Sequence, residues 1–243
     1  MYKQQKQTEI FFNKDAENWS RKSSFKKSRT LNTIHQRNLY VINQFKNFKL
    51  NNLIDVGCGV GDLSYEISKI GKKSIGIDFS KNMIRLAKKK YKKNNLLFTH
   101  SSIFDYTFEF AADCISANGF IEYLSLKDIK KFFKIANKNL KKNHYLIFGS
   151  RNRLYNLFSL NKFSEKEINY NSFKKFYMES IGLNKNLKLS EFLKLNKNKF
   201  HEQPFLQPVT GIEVYKRHQF SPLQIVDIMT KNNFKVVDIH PVN

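Results

Sequence analysis

Cysteine, proline and arginine are all scarce in this chain of 243 residues. The two cysteines, Cys58 and Cys114, lie inside apolar segments, which argues against a disulfide framework and favours a reducing, cytoplasmic setting. No run of 18 apolar residues is present, so the sequence predicts no transmembrane helix. The N-terminus also lacks the apolar segment and cleavage site of a signal peptide, and we therefore expect no export.

Acidic residues are few as well, with 20 against 43 basic residues and a net charge of +23. A charge of this size is typical of proteins that bind nucleic acids. Only seven of the basic residues are arginine, the side chain that binds phosphates and bases in bidentate fashion. The lysines are scattered along the whole chain, so composition disfavours a nucleic-acid partner.

Apolar strands and amphipathic helices alternate regularly between residues 49 and 150. Helices of this length between strands indicate right-handed βαβ units on a parallel sheet, and hence an α/β fold. The predicted strands are LIDVG, KSIGIDF, LLFTHSS, ADCISANG and HYLIFGS, and the predicted helices are DLSYEISKI, KNMIRLAKKKYKK and LKDIKKFFKIANKNL.

The flanking regions have different patterns, and we expect all of them to belong to one domain over 1–243. Residues 1–48 are predicted as helical and as a lid, with 49–150 as the core. Residues 151–220 are aromatic and lack periodicity, which favours an inserted substrate cap over a linker. Residues 221–243 predict a helix with Ser221 as N-cap and Pro222 at its first position, then a strand FKVVDIHPV.

The segment LIDVGCGVGDLSYEIS, residues 53–68, joins a strand to a helix through three alternate glycines. A phosphate-binding P-loop requires a lysine after its last glycine, where this chain has Asp62. A dinucleotide loop requires a small third residue, and neither register of the glycines supplies a good one. Asp55 and Asp62 flank the loop, and two carboxylates favour a cationic or zwitterionic ligand over a diphosphate.

The pattern Asp55-x-Gly57-x-Gly59-x-Gly61 resembles the first motif of the class I, Rossmann-like, S-adenosylmethionine-dependent methyltransferases. The resemblance implies S-adenosylmethionine as methyl donor and S-adenosylhomocysteine as product, without a metal. It places the glycine loop against the methionine moiety, with Asp55 near the amino group. Asp78, at the end of the strand SIGID, is then expected to accept hydrogen bonds from the ribose hydroxyls, and Phe79 to flank the adenine.

Further positions follow from the same resemblance. Ser102 stands where the family usually has an acidic residue for the adenine amino group, with Ile103 beside it. Asn118, Gly119 and Phe120 form the lip where donor and acceptor are expected to meet. The lip lacks the Asn-Pro-Pro-aromatic motif of DNA-adenine enzymes, and neither cysteine suits the cytosine-C5 type.

The acceptor is predicted to be a small molecule, such as a sugar, a lipid-linked compound or a quinone precursor. An RNA or protein methyltransferase, and a non-catalytic donor-binding subunit, remain as alternatives. The expected acceptor contacts are Trp19 in the lid, Phe120, Arg151 and Arg153. A general base is required only for a poorly nucleophilic acceptor, and the weak candidates are His201, His218, Glu122 and Tyr123.

The family sheet usually ends in an antiparallel strand after the one expected at FKVVDIHPV, and the chain stops at Asn243 without it. We therefore expect either a truncated form or an open sheet edge that an oligomer or another partner covers.

Overall fold

The computed structural model describes residues 3–23, 32–185, 188–192, 194 and 218–240. The chain divides into two compact units. The described residues of the first unit fall within Met1–Gly149, together with His240, and those of the second within Ser150–Gln203 and His218–Ile239.

Five parallel strands form the sheet of the first unit, in the order β3-β2-β1-β4-β5. This confirms the predicted α/β fold and its five strands. The order reverses between β1 and β4, so their carboxyl ends open the crevice in which sheets of this kind bind ligands. The strands are β1 Asn52–Val56, β2 Lys73–Asp78, β3 Leu96–His100, β4 Ala112–Asn118 and β5 Leu140–Gly149.

Among the described residues five helices accompany this sheet, and each predicted helix of the first unit is found within a few residues. Serine and asparagine side chains begin three of them, because their oxygens accept the free backbone N–H groups of the first turn. The helices are α1 Lys3–Ser23, α2 Thr33–Asn47, α3 Asp62–Lys69, α4 Lys81–Lys90 and α5 Leu126–Asn139, with a 3-10 turn over Ile121–Tyr123 before α5.

The core lies between the sheet and these helices. On one face, α2 and α3 bury an apolar cluster against β1 and β4, which includes Phe45, Leu53, Ile67 and Cys114. Cys114 is fully buried there, so it packs as an apolar residue, and both cysteines are free thiols.

The described part of the second unit is built from short helices, of which the sequence predicted only α9 individually. They are a 3-10 turn Arg153–Leu157, α6 Lys162–Asn169, α7 Phe173–Asn184, α8 Leu189–Phe192 and α9 Pro222–Lys231. Leu154, Leu157 and Phe176 form its apolar cluster. The start of α9 confirms the prediction, since Ser221 and Gln224 form a capping box and Pro222 occupies the first turn.

The predicted strand FKVVDIHPV is wrong for residues 234–240, which form neither helix nor strand, while 241–243 lie outside the described residues. The segment alternates in sequence, but Val237 and Ile239 are 65% and 41% exposed, so neither face is consistently buried. Without a buried face and a paired neighbour, an alternating segment does not form a strand. Within the described ranges, no helix is long and apolar enough to span a membrane.

Candidate functional site

The glycine loop lies at the carboxyl end of β1 and is tied to β2. The backbone N–H groups of Gly57 and Cys58 both donate to the carbonyl of Ile77, at 2.8 and 3.1 Å. Gly61, with φ of +81°, turns the chain into α3. A Cβ on Gly61 would lie 2.4 Å from the ring of Phe98, so backbone conformation and space both require glycine.

Asp78 ends β2 beside this loop and is 6% exposed. Its Oδ2 accepts the backbone N–H of Gly59 at 2.9 Å, and its Oδ1 accepts that of Ser80 at 2.8 Å. Burial raises the pKa of Asp78 to about 6, against the opposing effect of these two hydrogen bonds. An ionised carboxylate has about four acceptor positions, so two remain for hydroxyl groups of a ligand.

Asp55 lies in β1, two residues before Gly57, and its contact with the amino group of a donor stays a prediction. It is 3% exposed, and its Oδ2 accepts the hydroxyl of Ser64 in α3 at 2.9 Å. Burial raises the pKa of Asp55 to about 7, with Asp78 adding to the increase. This carboxyl group therefore fastens β1 to α3.

Asp62 does not present a free charge to the ligand, which corrects the argument that it would repel a diphosphate. It accepts hydrogen bonds from Lys90 Nζ at 2.7 Å and from the hydroxyl of Tyr91. The Tyr91 ring stacks on Tyr65 at 4.0 Å between centroids. Asp62 thus joins the start of α3 to the end of α4, and the diphosphate is disfavoured by the glycine spacing instead.

The lip after β4 contains a feature that the sequence argument missed. Gly119 donates to the carbonyl of Gly149 at 3.1 Å, which joins the ends of β4 and β5. The Arg37 side chain, from α2, reaches both glycines. It would lie 3.2 Å from a Cβ added to Gly119 and 3.3 Å from a Cβ added to Gly149. Asn118 Nδ2 is buried without a hydrogen-bond partner among the described residues.

Arg37 therefore brings a guanidinium group to the carboxyl edge of the sheet. Arg37 forms no ion pair within the described part of the chain. Its signal in the sequence was weak: it is one of seven arginines in a lysine-rich chain, on a helix predicted only from its apolar face.

Helix α1 covers the glycine loop. The Trp19 indole nitrogen lies 3.3 Å from the position of a Cβ on Gly59. The ring of Phe12 lies 5.3 Å from that of Tyr123 and 6.5 Å from that of Phe79, between centroids. The predicted lid segment and the predicted site residues Phe79 and Tyr123 are thus brought together, although contact of Trp19 with an acceptor stays a prediction.

The predicted adenine positions follow β3. The backbone N–H of Ser101 donates to the carbonyl of Asp78 at 3.0 Å, which places this turn beside the carboxylate. The hydroxyl oxygen of Ser102 accepts the N–H of Phe104 at 3.3 Å, and Ile103 is 4% exposed. Their contact with a ligand stays a prediction. Phe120 lies against the loop, 3.1 Å from where a Cβ on Gly57 would be.

The four candidate bases do not form a cluster in the described structure. Glu122 is buried in the 3-10 turn, and Tyr123 packs on Phe12. His218 is buried in the second unit with its ring 5.7 Å from that of Phe220, and His201 lies outside the described residues. Within the described ranges, no group of three metal-ligating side chains is present.

The surroundings of Arg153 argue against its predicted role as an acceptor contact. It is 3% exposed, and its Nε and Nη2 donate to the two oxygens of Glu167, each at 2.7 Å. The guanidinium also lies 4.7 Å from the ring centroid of Phe176. The positive charge of Arg153 is therefore paired with Glu167 inside the second unit. Arg151 is half-buried in the same unit, and its substrate role stays a prediction, as does the cap function of 151–220.

Known proteins share both the sequence pattern and the fold. A family model described as a methyltransferase domain matches residues 47–208. Over 154 residues the chain is 31% identical to a ubiquinone biosynthesis O-methyltransferase of Pelagibacter ubique, covering 58% of this chain and 63% of that protein. The corresponding protein of Hydrogenovibrio crunogenus is 25% identical over 142 residues, covering 57% and 58%. The chain thus spans less than two thirds of the length of either relative.

Two solved structures show the same fold at low sequence identity. The magnesium protoporphyrin IX methyltransferase of Synechocystis PCC 6803, with bound S-adenosylhomocysteine, has a TM-score of 0.60 at 15% identity, covering 95% of this chain and 89% of that one. A methyltransferase of Methanosarcina mazei has a TM-score of 0.56 at 17% identity, covering 82% and 85%. Since the family model covers more than half of the residues, the chain belongs to the methyltransferase domain family.

Proposed function

We propose that this chain binds S-adenosylmethionine and transfers its methyl group to an oxygen or nitrogen atom of a small-molecule acceptor. The observation that carries the proposal is Asp78, held at the end of β2 by the N–H groups of Gly59 and Ser80, with acceptor positions left for the ribose hydroxyls. The names of the curated relatives support an oxygen acceptor.

The residues present fit a zwitterionic donor. Asp78 supplies the acceptor for the ribose, and the glycine loop supplies close backbone approach without side chains. The methionine carboxylate requires a cation, and Arg37 places a guanidinium at the neighbouring edge of the same crevice. These groups are proposed partners for the ribose hydroxyls and the methionine carboxylate, and Asp55 is proposed for the amino group. Phe79, Ser102 and Ile103 are proposed for the adenine, and Asn118 with Gly119 for the methionine end.

When bound, the donor would supply an activated methyl group on a sulfonium, whose sulfur would leave as the thioether of S-adenosylhomocysteine while the acceptor's proton would pass to a base or to water. The protein's part is mainly to align the two centres and exclude water, which is worth several kcal/mol of the barrier, on the order of 7–11 at best. Phe12, Trp19 and Phe120 are placed to exclude water from the loop. For a hydroxyl acceptor a base is also required, and Glu122 and Tyr123 are the candidates on the lip of the described site.

Calorimetric titration with S-adenosylhomocysteine tests the proposal. We expect wild-type binding in the micromolar range, about −8 kcal/mol. Asp78→Ala and Arg37→Ala should each weaken it about 10–100-fold, because each loses charge-assisted hydrogen bonds of about 1.5–3 kcal/mol.

Arg85→Ala is the matched control, since Arg85 is an exposed arginine of α4. It should leave the affinity unchanged. A folded wild-type protein that does not bind S-adenosylhomocysteine would contradict the proposed function. Equal losses in Arg37→Ala and Arg85→Ala would contradict only the role of Arg37.

A further inference from the structure

Helix α1 is attached to the start of α4 by a group of hydrogen bonds that we call the Asn13 clasp, formed by Asn13, Ser80 and Asn82. Asn13 Oδ1 accepts the Ser80 hydroxyl at 2.8 Å and the Asn82 backbone N–H at 3.1 Å. The Asn82 side-chain amide donates back to the Asn13 carbonyl at 2.8 Å. The two helices are thus joined in both directions.

The clasp satisfies backbone groups that α4 cannot satisfy alone. The first N–H groups of a helix have no partner within it. Ser80 caps the N–H of Met83 at 3.2 Å, and Asn13 caps that of Asn82 from another element. Asparagine is a poor residue for the interior of a helix, so its presence in the middle of α1 is consistent with this tertiary role.

Ser80 connects the clasp to the donor site. Its side chain binds Asn13, while its backbone N–H donates to Oδ1 of Asp78, whose other oxygen holds Gly59. Ser80 itself is fully buried. One residue therefore carries both the attachment of α1 and the orientation of the carboxylate proposed for the ribose.

The residues on either side of Asn13 in α1 cover the same site. Phe12 packs against Phe79 and Tyr123, and Trp19 lies over Gly59. A ligand that reaches the glycine loop from the side of α1 must displace the Trp19 ring. The position of α1 thus determines whether the loop is open or covered.

We propose that Asn13 is a positioning residue that clasps α1 over the glycine loop and thereby sets the rate at which donor and product exchange. The role in exchange rests on the proposed donor binding, whereas the clasp itself does not. Removing the Asn13 side chain removes two hydrogen bonds, and we expect α1 to detach about tenfold more often.

Amide hydrogen exchange of the full chain without ligand tests the clasp. In Asn13→Ala, peptides from α1 should exchange about tenfold faster, while those from α2 stay unchanged. Lys14→Ala, at the exposed neighbouring position, is the matched control and should behave as wild type. Asn13→Asp keeps an oxygen that accepts hydrogen bonds from the N-terminus of α4. Its α1 peptides should therefore exchange as slowly as those of wild type. Unchanged exchange in Asn13→Ala, or an equal increase in Lys14→Ala, would overturn the clasp.

The exchange rate of the product gives a second readout, because Trp19 is the single tryptophan of the chain and its fluorescence reports on the lid. In stopped-flow displacement, S-adenosylhomocysteine should dissociate about tenfold faster from Asn13→Ala, and at the wild-type rate from Lys14→Ala and Asn13→Asp. A wild-type protein that binds no S-adenosylhomocysteine would contradict the proposed function, and hydrogen exchange would still decide the clasp. Binding with identical dissociation rates in wild type and Asn13→Ala would contradict the role of Asn13 alone.

Discussion

The aspartates around the glycine loop have different hydrogen-bond partners, which their positions in the sequence do not predict. Three carboxyl groups lie within or beside the strand-to-helix turns of β1 and β2. Asp55 binds Ser64 in α3, Asp62 binds Lys90, and Asp78 binds the loop itself. We propose Asp78 for the ribose because it accepts the Gly59 N–H of the loop and keeps acceptor positions.

Gly61 should tolerate alanine much less well than Gly71. Both have φ near +80°, but a Cβ on Gly61 meets the buried Phe98 ring at 2.4 Å, and one on Gly71 meets nothing within 4 Å. Gly71→Ala should therefore cost about 1–2 kcal/mol of unfolding free energy, and Gly61→Ala roughly 2–5 kcal/mol. Urea denaturation measures both, and equal losses would show that the space at Gly61 is not limiting.

Asp55 should make stability fall as the pH rises through neutrality. Its pKa rises from 3.8 to about 7 on folding, chiefly through burial, so between these values the folded state binds more protons than the unfolded state. The stabilisation is complete below about pH 3.8. It is lost as the pH rises to about 7, by up to about 1.4 kcal/mol per pH unit.

Asp55→Asn removes that dependence. The free energy of unfolding of the variant, relative to wild type, should therefore increase between pH 5 and pH 8, measured by denaturation at each pH. The Ser64 hydroxyl can still donate to the amide oxygen of the variant. A constant difference across this range would show that Asp55 does not titrate there.

At the scale of elements, the helices of the second unit are joined by buried polar groups. Glu167 in α6 accepts from Arg153 and from Asn156, at 2.7 and 2.9 Å. Glu179 in α7 accepts the N–H of Leu223 in α9 at 2.8 Å, and burial raises its pKa. The packing of these short helices thus depends on polar contacts as well as on the small cluster around Phe176.

Breaking the buried ion pair should destabilise this unit. Glu167→Gln leaves the Arg153 charge buried without its carboxylate, which should cost about 3–5 kcal/mol of unfolding free energy. Glu66→Gln breaks the pair with exposed Lys69 in α3 and should cost less than about 0.5 kcal/mol. Denaturant unfolding of both variants checks the difference, and comparable losses would contradict it.

At the scale of the whole molecule, the net charge of +23 comes mostly from lysine. Diffuse positive charge attracts polyanions without recognising them, since neither bidentate contacts nor base-specific contacts are required.

RNA binding should therefore be weak and strongly dependent on salt. We expect homopolymer RNA to bind at low salt and to lose on the order of a thousandfold in affinity between about 50 and 200 mM salt, without preference for sequence. Fluorescence anisotropy at several salt concentrations measures this. Sequence-selective binding that persists at physiological salt would instead support the alternative of an RNA methyltransferase.

Much of the first unit could be predicted from the sequence alone. The five strands, α3 to α5 and the glycine loop follow from periodicities and turns within a few residues, which are local properties of the chain. The place of Asp78 followed because parallel strands end at one edge. Charge and aromatic composition also follow from the sequence directly.

Only the tertiary structure decided which partners these residues have. Arg153 is buried against Glu167 instead of facing an acceptor, and residues 234–240 form no strand because their apolar side chains are not buried on one face. Arg37 and Asn13 reach the site from helices whose sequence pattern marks only their apolar faces. Such contacts join residues 14 to 112 positions apart and depend on how the elements pack, which no local pattern specifies.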